Sequence, residues 1–124
     1  MRPSSRPWIA AAALLTACGP EYVGCTLEAR SSVQVTVVDS RGRPQRDARV
    51  TFTLDGDPEQ QDLCNGRARG PGACDTWVTT YEKPGHYVVL ASSADGTRSA
   101  RQEVTVREDA CHVLGETVTL TLPD

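Results

Sequence analysis

Acid–base or nucleophilic chemistry in this chain would have to draw on two histidines, His86 and His112, and on a few clustered carboxylates. An imidazole acts as a general base only when a nucleophile and an orienting group stand beside it. His86 enters an apolar run straight after Pro84-Gly85, and His112 follows Cys111 in a polar, turn-like stretch. Neither sits in a nucleophile motif of the G-x-S-x-G kind. Both are therefore expected to be structural or surface residues.

Asp55-Gly56-Asp57-Pro58-Glu59 with Asp62 places four carboxylates in one segment. Oxygen ligands at alternating positions are what a hard cation such as calcium needs, but Pro58 stiffens the run. The glycine and glutamate that complete a calcium loop are missing, so a solvated acidic turn is the better reading. Arg41, Arg43, Arg46 and Arg49, with Arg67 and Arg69 further on, could grip a carboxylate or phosphate. Asp39 and Asp47 dilute that charge, which favours a solvated face that also discourages edge-to-edge aggregation. Trp77, Tyr81 and Tyr87 could line a sugar face; in so small a domain they are expected to fill the core instead.

The N-terminus carries a different kind of chemistry. Arg2 and Arg6 precede an uncharged, mostly apolar run from Trp8 to Ala17, too short to span a bilayer as a stable helix. The order Leu15-Thr16-Ala17-Cys18 resembles the lipobox of bacterial lipoproteins. That resemblance implies cleavage before Cys18, a diacylglycerol on its sulfur and acylation of the new N-terminus, giving the two or more chains that stable anchoring needs. Gly19, not an acidic residue, follows the cysteine, which by analogy with enteric bacteria points to the outer membrane. Residues 1–17 are accordingly read as a signal peptide and 18–30 as the lipidated cysteine and its tether. The domain proper spans 31–124.

Setting Cys18 aside leaves an even set, Cys25, Cys64, Cys74 and Cys111. In an exported chain this indicates two disulfides, with three connectivities open. Cys64–Cys74 closing a local loop and Cys25–Cys111 tying the start of the domain to a late turn is the favoured arrangement. Zinc is disfavoured because no C-x-x-C pair occurs. Loss of Arg2 and Arg6 leaves eleven cations against 16 acids, a net charge of −5, which opposes nucleic-acid binding.

These residues must be held by strands. Val33, Val35 and Val37 alternate with Ser32, Gln34 and Thr36, as do Val50, Phe52 and Leu54 with Arg49, Thr51 and Thr53. Asp39 to Pro44 has the glycine and proline of a turn. Trp77 to Tyr81 reads as a further strand. His86 to Ala91 reads as a central strand buried on both faces. Ala94-Asp95-Gly96-Thr97 is a hairpin signal. Val104 and Val106 mark another strand, and Val118, Leu120 and Leu122 the last. Short strands at such spacing predict an all-β antiparallel sandwich of about seven strands.

Ser32 to Pro44, followed by Ala48-Arg49-Val50, resembles the opening of carboxypeptidase regulatory-like domains of the transthyretin-like (prealbumin-like) group. Pro84-Gly85-His86-Tyr87-Val88-Val89 and Ala91 to Gly96 are similar to their later strand entry and hairpin. The resemblance implies an Ig-like sandwich and an accessory or binding module. The branch of that group that hydrolyses 5-hydroxyisourate ends in Tyr-Arg-Gly-Ser, whereas this chain ends Leu120-Thr121-Leu122-Pro123-Asp124. The expectation is thus a non-enzymatic envelope protein without a cofactor. It would be held to the membrane through Cys18 and would contact a protein or glycan. The alternatives are a small hydrolytic or metal-dependent enzyme using His86, His112 and the acidic loop, or a purely structural envelope protein.

Overall fold

A computed structural model of the chain describes residues 24–65 and 73–124. The signal segment, Cys18, Arg67 and Arg69 lie outside the described residues. The described part is all-β and contains no helix. Its strands, in chain order, are β1 (Val33–Val38), β2 (Arg49–Leu54), β3 (Gln60–Gln61), β4 (Leu63–Cys64), β5 (Trp77–Val78), β6 (Gly85–Ser92), β7 (Ser99–Glu108), β8 (Val113–Leu114) and β9 (Glu116–Thr121).

Two sheets result, one ordered β4-β5-β1-β9 and the other β3-β2-β6-β7-β8. Each turns its apolar alternate residues inward. Val33, Val35 and Val37 of β1 and Val118 and Leu120 of β9 meet Val50 and Phe52 of β2 and Tyr87, Val89 and Ala91 of β6. Trp77 fills the end of this core near β4, and the rings of Phe52 and Tyr87 lie 5.9 Å apart. β-branched valine suits such a pleated, close-packed interior, so few aromatics suffice.

The Asp39 turn forms as expected. The Asp39 carboxylate accepts the Arg41 and Arg43 amides at 2.8 and 2.9 Å, and Gly42 supplies the positive φ. β6 and β7 form the long hairpin, closed by the Ser93 amide donating to Arg98 O.

The structure departs from the sequence expectations in four places. First, β1 and β9 pair in parallel, Val33 opposite Glu116 through Val38 opposite Thr121, so the sandwich is antiparallel-rich and not purely antiparallel. The chain changes sheet between β8 and β9, so β9 enters alongside β1 in the same direction. Gly115 makes that step possible, because a Cβ there would lie 2.7 Å from Ser31 O. Second, three two-residue strands not read from the sequence (β3, β4 and β8) raise the number to nine.

Third, β5 ends at Val78. The chain still runs beside β1, with Thr79 donating to Val33 O and Ser32 to Thr80 O, but Glu82 turns it away with a positive φ. Tyr81 consequently stays at the surface, 38% exposed, and does not join the core. Fourth, β6 is fully buried on one face only. Val88 and Leu90 are half-buried and His86 is exposed, since an outer face of a two-sheet sandwich has no third layer to cover it.

Candidate functional site

A cleft of about 870 Å³ opens on the solvent side of the four-stranded sheet. Gln34 of β1 and Val78 of β5, paired in register, form part of its floor. The segment Ala29–Ser31 that leads into β1 and Val113 to Gly115, which runs beside it, also line the cleft, as do Tyr81 and Asn65. Tyr81 and the half-exposed Leu114 put apolar surface beside amide and hydroxyl groups. That mixture suits a ligand with both apolar faces and hydrogen-bonding edges.

This lining is tied down from behind. Glu82 Oε1 accepts the Val113 amide at 2.9 Å and Oε2 accepts the Arg30 amide at 3.2 Å. Glu82 therefore ties these two neighbouring segments together. Its second oxygen also meets Nδ1 of His112. His112 is buried, and its Nε2 lies 2.9 Å from the Thr26 hydroxyl. The hydrogen bonds from His112 and then from Val113 hold the Glu82 carboxyl below its ordinary range. An ionised Glu82 accepts from Nδ1–H, and in the neutral ring Nε2 is then the acceptor that faces Thr26 Oγ1.

Asp109 prepares the His112 backbone: its Oδ1 accepts the Cys111 and His112 amides, each at 2.8 Å. These bonds, the His112 one foremost, keep Asp109 low as well. Next to them Cys25 and Cys111 form a disulfide with their Cα atoms 5.3 Å apart. Cys64 and Cys74 form the other, with Cα atoms 5.6 Å apart. This is the favoured one of the three connectivities.

His86 is placed elsewhere. Its Nε2 contacts Glu103 at 2.9 Å, its Nδ1 approaches Thr105 at 3.4 Å, and its ring is half exposed. Hydrogen bonds from His86 and then Arg101 lower Glu103. The two histidines thus engage separate carboxylates and share no partner. The acidic segment divides too. Asp55 accepts the His86 amide at 2.8 Å, whereas Asp62 is buried with both carboxylate oxygens lacking a hydrogen-bond partner. The solvated-turn reading therefore fails at Asp62. Its carboxyl, desolvated by burial, is pushed up to about 7.

Among the described residues no three His, Cys, Asp or Glu side chains group as metal ligands. Of the arginines, Arg43 pairs with Asp39 at 2.8 Å and Arg46 with Asp75 at 2.6 Å, so those two charges are met within the chain. Sequence reasoning singled out His112 but missed Thr26 and Glu82. Only the neighbouring Cys25 and Cys111, once paired, bring Thr26 towards His112; nothing local marks Glu82. Compared with known proteins, the chain matches no family model, no curated protein and no solved structure.

Proposed function

We propose that the chain is a lipid-anchored envelope module that presents the cleft beside β1 and β5 to a protein or glycan of the bacterial surface. The observation that carries this reading is the make-up of the cleft wall. Ala29 and Arg30, at the end of the segment that follows Cys25, line the cleft, which supports a recognition surface continuous with the tether. The lipobox-like Leu15-Thr16-Ala17-Cys18 supports attachment through acyl chains, and Gly19 supports the outer membrane. The net negative charge argues for partners other than nucleic acid. The carboxypeptidase regulatory-like pattern from Ser32 to Pro44 favours an accessory, binding role. Loops and clefts on a rigid sandwich are where such modules carry their contacts.

Two measurements test the reading. Cys18→Ser should move the protein from the membrane pellet to the soluble fraction; continued sedimentation with membranes refutes the anchor. A full-length chain used as bait on solubilised envelopes should capture one component that a Tyr81→Ser, Leu114→Ser double variant releases. Equal capture by both refutes the cleft as the recognition surface.

A further inference from the structure

Thr26, His112 and Glu82 place a hydroxyl, an imidazole and a carboxylate in line, with the hydroxyl on an exposed residue and the imidazole buried between its two partners. That is the arrangement by which a weak alcohol nucleophile is activated: a base within hydrogen-bond reach, itself held by a third group. Glu82 is fixed on both oxygens by the amides of Val113 and Arg30, so it orients the ring rigidly. Val113 and Arg30, whose amides hold Glu82, also line the cleft, whereas Thr26, His112 and Glu82 lie outside its lining and the Thr26 hydroxyl sits on an exposed residue.

We propose that Thr26 is the nucleophile of an acyl-transfer site for carboxylic esters, with His112 as general base and Glu82 as positioning residue. Thr26 Oγ1 forms a bond to the ester carbonyl carbon while His112 Nε2 takes the hydroxyl proton. Collapse of the tetrahedral adduct breaks the carbon–alkoxide bond, and His112 returns the proton to the departing alcohol. Water, deprotonated by the same nitrogen, then cleaves the acyl–Thr26 ester, releasing the acid and restoring the hydroxyl. No oxidant or metal enters the balance.

This activity goes beyond recognition by the cleft and does not depend on which envelope component is bound. The test uses the full chain in detergent with 4-nitrophenyl acetate as probe. Mass spectrometry should find one acetyl group on the peptide that contains Thr26, with continued release of 4-nitrophenol. Thr26→Ala should abolish that acetylation, and Thr26→Ser should retain it. Glu82→Gln should slow it by about a hundredfold, within the range of positioned acid–base catalysis, with both disulfides still formed. Thr26→Ser keeps the hydroxyl on an exposed residue, so the Thr26 pair carries the test even where a His112 variant unfolds, with both disulfides again the check on folding. Acetyl groups found only on lysines or histidines overturn the proposal. So does a Glu82→Gln rate equal to that of the parent.

Discussion

Replacing Asp62 with Asn isolates the cost of a carboxylate that the sandwich buries without a partner. Asp62 follows β3, its amide donating to Val50 O at 3.0 Å, and its side chain is 1% exposed. Extending the β4–β5 register by one residue sets it opposite Thr79, whose hydroxyl also lacks a partner. Carrying the group from 3.8 to about 7 corresponds to about 4 kcal/mol at ~1.4 kcal/mol per pH unit.

The sign follows from proton binding. Below 3.8 both folded and unfolded chains hold the proton, and the group imposes no charge penalty. Between 3.8 and about 7 the unfolded chain ionises while the folded one does not, so stability falls as pH rises. Above about 7 the full cost is in place. Asp39, Glu82 and Asp109, all held low, act in the opposite sense and lose stability as pH falls. They are common to both proteins, so the difference between parent and Asp62→Asn cancels them.

Urea unfolding followed through the buried Trp77 gives that difference at each pH. Asp62→Asn should gain about 3–4 kcal/mol on the parent between pH ~4 and ~8, the amide having no charge to desolvate. A gain that is constant within about 0.5 kcal/mol across that interval would show that Asp62 ionises freely in the folded chain, and would refute the argument.

Two further outcomes concern the frame. Gly115→Ala forces a methyl to within 2.7 Å of Ser31 O, so the β8–β9 crossing must shift; a loss of about 1–3 kcal/mol in the same unfolding assay is expected, and an unchanged midpoint would contradict it. Replacing Cys25 and Cys111 together by Ser releases a closure of 86 residues and should cost about 4–5 kcal/mol, against about 2–3 for Cys64 and Cys74, separated by 10. The Cys25–Cys111 change should also free Thr26 from His112. Equal losses for the two pairs would argue that strain, not chain entropy, sets their contribution.

The alternation of Val33, Val35 and Val37, of Val50 and Phe52, and of Val118 and Leu120 made the strands and their inward faces legible without a structure. Side chains point to opposite faces with a period of two, and that signal is wholly local. The Asp39-to-Pro44 turn and the Asp95-Gly96 hairpin were legible for the same reason, since their glycines and acceptors act on their own backbone. The even set of four cysteines, with Cys18 set aside, limited the pairings to three.

Tertiary structure decided what depends on distance along the chain. The parallel pairing of β1 with β9 arises from where the chain changes sheet, which no residue of β9 announces. Asp62 looks like its solvated neighbours Asp55 and Asp57, and only the packing of the short β3–β4 segment against the core buries it. His86 and His112 are chemically identical in the sequence; one became a surface residue beside Glu103 and the other the centre of a relay. Thr26 lies 86 residues from His112, and Glu82 lies 30 from it. Hydrogen bonds reach about 3 Å, so such partners meet only when the whole sandwich has closed.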